Sequence, residues 1–165
     1  MWTARVITCS DAASRGERED RSGPAVRGIL LSHDFEAPPP LVVSDDVAVI
    51  AEAIRRAVDE EGADLVVTTG GTGISQRDVT PEATMQVCEK KIDGFGELMR
   101  LRSLEKTPMA PLSRAGAATR GSALVVNLPG SVAGAVENLE AVIHLIPHAL
   151  ELLRNARVER HPGAS

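Results

Sequence analysis

A glycine-rich segment at residues 68–82 carries the densest chemical signal in the sequence. It reads Thr-Thr-Gly-Gly-Thr-Gly-Ile-Ser-Gln-Arg-Asp-Val-Thr-Pro-Glu and follows an apolar run. Glycines directly after a strand let backbone N–H groups turn toward a ligand, which suits phosphate oxygens. The segment matches neither G-x-x-x-x-G-K-[ST] nor G-x-G-x-x-G. An ordinary turn that needs glycine for a positive φ is the alternative, but three glycines, interleaved hydroxyls and the Arg-Asp pair favour an anion site.

Carboxylates stand close to two predicted helix starts. Asp78 lies two residues before Thr80, and Asp45 lies with Asp46 just before the helix predicted from Val47. Aspartate is a preferred N-cap residue, so capping and catalysis are both open for Asp45. Two carboxylates facing a phosphate loop could hold Mg²⁺ through oxygens and waters. The ion would neutralise the charge of a triphosphate and stabilise the negative charge on pyrophosphate as it leaves.

Other reactive residues give weaker signals. His144 and His148 are four residues apart, but Pro147 lies between them and no glutamate completes an H-E-x-x-H zinc motif. Cys9 ends an apolar strand, which favours a core position over a nucleophile. No G-x-S-x-G elbow indicates a serine hydrolase.

The elements that must position these residues alternate between strands and helices. Strands are predicted at residues 5–9, 41–43, 65–68 and 123–127, and helical spacing follows Ser22, Val47, Thr80, Phe95 and Ser131. Thr80 and Pro81 are predicted as the N-cap and first residue of one helix. The alternation predicts an α/β fold with a mostly parallel sheet and helices on both faces.

Ligands of such sheets bind beyond the carboxyl ends of the strands. Hydroxyls, carboxylates and glycines follow the predicted strands at Ser10, Asp11, Ser44, Asp45, Asp46, residues 69–78, Pro129, Gly130 and Ser131. We therefore expect the site at this edge of the sheet.

Length and composition indicate a globular protein. The 165 residues predict one domain over residues 1–156, followed by a flexible tail at residues 157–165. A net charge of −5 with only 2% aromatic residues argues against nucleic-acid binding, which uses basic surfaces and stacking aromatics. No apolar run approaches the roughly 18 residues of a membrane span.

A reducing cytoplasm is the expected location. The first residues lack the apolar core of a signal peptide. The two cysteines, Cys9 and Cys88, form neither a C-x-x-C pair nor a disulfide framework.

The motifs together resemble the MogA/MoaB family of molybdenum-cofactor biosynthesis proteins. The resemblance rests on residues 68–83, on Ser10-Asp11 with residues 20–24, and on residues 94–97 and 128–131, which keep the order of the family. It implies a three-layer α/β/α fold that binds molybdopterin. It also implies adenylyl transfer, in which the molybdopterin phosphate attacks the α-phosphorus of Mg-ATP and pyrophosphate leaves. The product is then ready for metal insertion, which implies a molybdenum-insertion protein as a partner.

The resemblance also implies roles for individual residues. Asp45 and Asp78 fall on the two catalytic carboxylates, which would hold Mg²⁺. Phosphate binding is implied for Thr69, Gly70, Gly71, Thr72 and Gly73, and substrate binding for Ser10, Asp11, Ser113, Arg114, Pro129, Gly130 and Ser131. Ser44 stands before Asp45 where proline is common in the family, a departure that removes no catalytic group.

Two other functions remain open. A pterin-binding carrier or scaffold of the MoaB type could use the same loop without activating ATP. A nucleotide-processing domain of the competence-damage type shares the fold and part of the glycine loop, but usually comes with a larger chain. Apolar residues without an assured internal partner, such as Met109, Leu112 and Val132, predict a homo-oligomer, and the family implies a trimer or a hexamer.

Overall fold

The longest apolar runs of the sequence form the middle of one seven-stranded sheet in the computed structural model, which describes residues 1–159. Strand β1 spans Trp2–Cys9, β4 spans Leu65–Thr69 and β7 spans Ala123–Leu128. They are parallel neighbours, and every residue of β4 and β7 is buried. Burial on both faces is typical of a parallel sheet with helices on each side.

Shorter strands complete the two edges of the sheet. On one side, β2 (Phe35–Glu36) and β3 (Leu41–Val43) both pair in parallel with β1. On the other, β6 (Gly116–Arg120) pairs antiparallel with β7, and β5 (Lys90–Ile92) pairs antiparallel with β6. The strand order is β2-β1-β4-β7-β6-β5, with β3 beside β1. The predicted mostly parallel sheet is confirmed, although β2, β5 and β6 were not predicted.

Helices cover both faces of the sheet, which confirms the three-layer α/β/α fold. They are α1 (Asp11–Ser14), α2 (Ser22–Ser32), α3 (Val47–Asp59), α4 (Thr80–Val87), α5 (Asp93–Leu104), α6 (Val132–Val142) and α7 (Ile146–Glu159). Short 3₁₀ turns lie at Ala110–Leu112 and Ile143–Leu145. One core holds buried side chains of α2, α5, α6 and α7, and the other holds those of α3 and α4.

The domain bounds and the tail predicted at the end of the chain stay predictions. The boundary predicted at residue 156 falls inside α7, which continues through Glu159. Residues 160–165 of the predicted tail lie outside the described residues. Within residues 1–159, no helix is both long enough and apolar enough to cross a membrane.

Candidate active site

The loop after β4 needs glycine at two consecutive positions. Gly70 has φ +101° and Gly71 has φ +71°, a region that side-chain-bearing residues rarely adopt. A Cβ at Gly70 would overlap the carbonyl oxygen of Cys9, and one at Gly71 would overlap the hydroxyl of Thr80. The backbone can therefore turn sharply, close to the ends of its neighbours.

The helix after this loop starts where it was predicted, but its cap is different. Helix α4 begins at Thr80 rather than using Thr80 as its N-cap. The Thr80 hydroxyl instead donates to the carbonyl oxygen of Gly70 at 2.8 Å, and its amide donates to that of Gly71 at 3.1 Å. The start of α4 therefore holds the glycine turn in place.

Most of the predicted site residues meet in one open cleft of about 720 Å³ at the carboxyl ends of the parallel strands. Its lining includes the predicted residues Ser10, Asp45, Thr69, Gly70, Gly71, Asp78, Gly130 and Ser131. Gly130 and Ser131 lie at the start of α6, and the Ser131 hydroxyl oxygen accepts from the Gly134 amide at 3.1 Å. The amino terminus of this helix favours negative charge in the cleft.

Asp45 is free of the capping role that the sequence left open. Asp46 caps α3, since its Oδ1 accepts from the Val49 amide at 3.0 Å. Asp45 faces the glycine loop, and a Cβ placed on Gly71 would lie 3.4 Å from Asp45 Oδ1. Burial raises the pKa of Asp45 above its usual value, and the nearby charges of Asp11 and Asp78 raise it further.

Asp78 is fixed by its own loop. Its Oδ2 accepts from the Ser75 amide at 3.0 Å and from the Ser75 hydroxyl at 2.7 Å. A Cβ on Gly73 would lie 2.7 Å from Asp78 Oδ2, so the third glycine makes room for this carboxylate. Asp78 lines the same cleft as Asp45, next to the glycine loop.

Other predicted residues lie outside the lining of the cleft. Ser113 and Arg114 line a second cavity of about 500 Å³. The Arg114 guanidinium donates to the carbonyl oxygens of Gly73 and Asp78, each at 2.8 Å, and pairs with Glu82. Arg114 thus supports the back of the loop, and a substrate contact from Ser113 or Arg114 stays a prediction.

Three further predicted residues, Thr72, Pro129 and Asp11, also lie outside the lining of the cleft. The amide of Arg114 donates to the Thr72 carbonyl oxygen at 2.7 Å, and Thr72 itself is buried. The Thr69 hydroxyl donates to the Pro129 carbonyl oxygen at 2.7 Å, which joins the ends of β4 and β7. Asp11 is bound to Asp45 and Arg77. Their roles toward a ligand stay predictions.

One wall of the cleft was missed by the sequence reasoning. Arg18, Glu19, Asp20 and Arg21 line it. Asp20 accepts from the Thr8 hydroxyl at 2.9 Å and from the Gly23 amide at 3.0 Å. The available signal was an aspartate three residues before a glycine at a helix start, the spacing of a side-chain cap.

The donor set of the cleft fits a magnesium ion. Asp45 and Asp78 are close enough for their charges to interact, and both line the same open space. Mg²⁺ commonly binds through one or two carboxylates, with phosphate oxygens and waters completing its shell. Among the described residues, no group of three or more His, Cys, Asp or Glu side chains forms a closed metal site. Two carboxylates beside an anion-binding loop suit an ion that arrives with a phosphate substrate.

Comparison with known proteins agrees with this geometry. A family model described as a probable molybdopterin binding domain matches residues 5–148. The chain is 44% identical to the molybdopterin adenylyltransferase of Helicobacter pylori strain J99, over 90% of this chain and 85% of that protein. It is 38% identical to the molybdopterin adenylyltransferase of Escherichia coli K12, over 98% and 91%. The crystal structure of the molybdopterin biosynthesis enzyme MoaB from Thermus thermophilus matches with a TM-score of 0.88 and 46% identity, covering 94% of this chain and 98% of that one. The chain therefore belongs to the molybdopterin-binding domain family.

Proposed function

We propose that this chain is a molybdopterin adenylyltransferase, which transfers AMP from Mg-ATP to the phosphate of molybdopterin and releases pyrophosphate. The observation that carries the proposal is the meeting of Asp45 and Asp78 over a glycine loop in one cleft. Relatives named for this activity, at 38% and 44% identity over most of their length, support it.

The backbone around the cleft would bind the phosphates. Gly70 and Gly71 bring main-chain groups to the surface of the cleft without side chains in the way. Gly130 and Ser131 add the amino terminus of α6 beside them. Both features stabilise negative charge, which increases on the pyrophosphate as the bond between the α- and β-phosphorus groups breaks.

The two carboxylates would hold and orient the reacting groups. Asp78 is fixed by Ser75 and would position the triphosphate, and Asp45 would face the attacking phosphate of the pterin. A bound Mg²⁺ would neutralise phosphate charge and polarise the phosphoryl oxygens. Asp45 and Asp78 are the residues that would hold it. The pterin phosphate oxygen forms the new bond to the α-phosphorus, and pyrophosphate takes the electron pair of the broken bond.

The assembly and cellular setting are also part of the proposal. Met109 and Leu112 are more than half exposed, and Val132 is 40% exposed, which supports a homo-oligomer such as the trimer that the family implies. Burial raises the pKa of Cys9 to about 12 and that of Cys88 to about 11. Both thiols are therefore protonated at neutral pH. A reducing cytoplasm is the proposed location of the protein.

Pyrophosphate release is the first test of the proposal. The purified chain is incubated with Mg-ATP, with and without molybdopterin, and the pterin is then analysed by mass spectrometry. We expect release only when molybdopterin is present, together with a pterin that has gained an adenylyl group. Tight pterin binding without release would contradict the transferase and support the carrier alternative.

A further inference from the structure

The side chains of Asp11 and Asp45 each accept a hydrogen bond from the main-chain amide of the other residue. The Asp11 amide donates to Asp45 Oδ2 at 2.8 Å, and the Asp45 amide donates to Asp11 Oδ1 at 3.0 Å. These two residues are 34 positions apart and follow the carboxyl ends of β1 and β3. We call this reciprocal pair of bonds the aspartate clasp. It fixes where the Asp45 carboxylate stands relative to β1.

The second oxygen of the same carboxylate binds the glycine loop. Arg77 donates to Asp11 Oδ2 from Nε at 2.9 Å and from Nη2 at 2.8 Å. Arg77 is the residue before Asp78, so this ion pair reaches the segment that carries the other cleft carboxylate. Both hydrogen bonds join a guanidinium to a carboxylate, and such charge-assisted bonds are stronger than those between neutral groups.

Asp11 does not line the cleft, and its carboxylate is already occupied by these partners. The loop is also held from behind, because Arg114 donates to the Asp78 carbonyl oxygen at 2.8 Å. Arg77 and Arg114 therefore hold the segment that carries Asp78 at two points. The Asp45 amide, in turn, donates to Asp11. A carboxylate with this arrangement suits a structural link between two reacting groups better than a substrate contact.

We propose that Asp11 is a positioning residue for the transfer reaction: its carboxylate joins the Asp45 main chain to Arg77 and so sets the separation of Asp45 and Asp78. The proposal rests on the proposed function, in which these two carboxylates work together on one phosphate group. It gives Asp11 a role through Asp45 rather than through the pterin. Displacement of reacting groups by about 1 Å can lower a rate roughly 100-fold.

The first measurement tests whether the hydrogen bonds of the aspartate clasp form, and it does not depend on enzyme activity. Asp11→Ala keeps the amide of residue 11 and removes the carboxylate that accepts from the Asp45 amide. We expect faster hydrogen exchange at the Asp45 amide in this variant, followed by NMR on the full chain. Asp11→Asn retains one oxygen acceptor and should give a smaller change, which also covers the case that the alanine variant folds poorly.

The second measurement separates positioning from binding. Asp11→Ala should lower kcat roughly 10- to 100-fold, while the affinity for Mg-ATP stays close to that of the wild type. In an Asp45→Asn background, Asp11→Ala should have no further effect on kcat, since the residue acts through Asp45. Asp59→Ala is the matched control, because Asp59 also accepts two hydrogen bonds from one arginine, Arg120, but lies away from the cleft. Its kcat should match that of the wild type.

Each result decides between the two proposals. An active wild type with unchanged exchange at the Asp45 amide in Asp11→Ala would overturn the positioning role alone. The positioning role would also be overturned if the fold-losses in kcat of Asp11→Ala and Asp45→Asn multiplied in the double variant, as they do for residues that act independently. A wild type that releases no pyrophosphate would overturn the proposed function and, with it, the role of Asp11 in the reaction.

Discussion

The two ends of the parallel strands use the same residue types for different purposes. At the amino ends, Asp64 accepts from the amide of Thr3 at 2.9 Å and from its hydroxyl at 3.1 Å. Nearby, Arg120 binds both oxygens of Asp59. At the carboxyl ends, Asp45 and Asp78 face an open cleft beside a glycine turn. Asp64 and Asp59 bind other residues of the chain and so stabilise the fold. Asp45 and Asp78 face the cleft, where a ligand can reach them.

The pKa values of the carboxylates at the two ends are shifted in opposite directions. Burial raises the pKa of Asp45, whereas the hydrogen bond from Arg120 lowers that of Asp59. At neutral pH, the charge on Asp45 opposes folding and the charge on Asp59 supports it. The difference indicates which carboxylate the fold uses for its own stability.

The largest expected difference between the two ends is in catalysis. Asp78→Asn should keep the fold but lower turnover roughly 100- to 1000-fold, because an amide cannot replace a carboxylate at Mg²⁺. Asp59→Asn, at the amino ends, should retain the wild-type rate. Molybdopterin-dependent pyrophosphate release measures both. Undiminished turnover in Asp78→Asn would remove this carboxylate from the proposed mechanism.

The next difference concerns two glycines with the same φ of +71°, Gly71 after β4 and Gly62 before it. Alanine at either position adopts a strained backbone, which costs about 1–2 kcal/mol. At Gly71 the new Cβ would also overlap the Thr80 hydroxyl, whereas at Gly62 no atom lies within 4 Å. Gly71→Ala should therefore lower the free energy of unfolding by roughly 1–3 kcal/mol more than Gly62→Ala does. Urea unfolding tests this, and equal losses would contradict it.

Stability against pH gives a smaller difference with opposite signs. Asp45 has a raised pKa in the folded state, so its ionisation lowers stability as the pH rises above the unfolded value, and Asp45→Asn should raise the unfolding midpoint at pH 7. Asp59 has a lowered pKa, so its contribution is present at pH 7 and is lost as the pH falls through that pKa. Asp59→Asn should lower the midpoint, by up to about 1 kcal/mol in stability. Thermal unfolding should show opposite signs for the two variants at pH 7, and both differences should shrink as the pH falls into the acid range.

The smallest effect is expected at Trp2, the single tryptophan of the chain. The guanidinium of Arg154 on α7 lies 4.0 Å from the centre of its ring. Arg154→Met should lower the free energy of unfolding by about 0.5–1 kcal/mol and shift the tryptophan emission. Arg56→Met, on the exposed face of α3, serves as the control that should leave the emission unchanged. An unaltered spectrum in Arg154→Met would contradict the contact.

The sequence predicted those parts of the fold that depend on local pattern. The runs in β1, β4 and β7 are long and rich in β-branched residues, so their burial shows in the sequence. Strand β2 has only two residues, and β5 begins with two lysines. Strand β6 consists mostly of small residues between Gly116 and Arg120. These strands exist because of their partners in the sheet, which spacing along one chain does not reveal.

The candidate site divides in a similar way. Asp45, Asp78 and the glycine turn could be placed in one cleft because parallel strands bring the loops at their carboxyl ends together. The sequence could not show that Asp46 rather than Asp45 caps α3, since both are aspartates that lie just before the helix. The contacts of Asp11 and Arg114 depend on loops 34 to 66 residues apart. Their geometry follows from the packing of the whole chain.

The two borders of the sheet also bear on how the protein behaves at high concentration. Between β2 and β3, the edge beside β1 is interrupted by three successive prolines at residues 38–40, which have no N–H to offer another strand. At the opposite border, β5 presents the exposed Lys90 and Lys91, whose charges repel a second copy. The prolines at one border and the lysines at the other therefore disfavour the addition of a further strand at these positions.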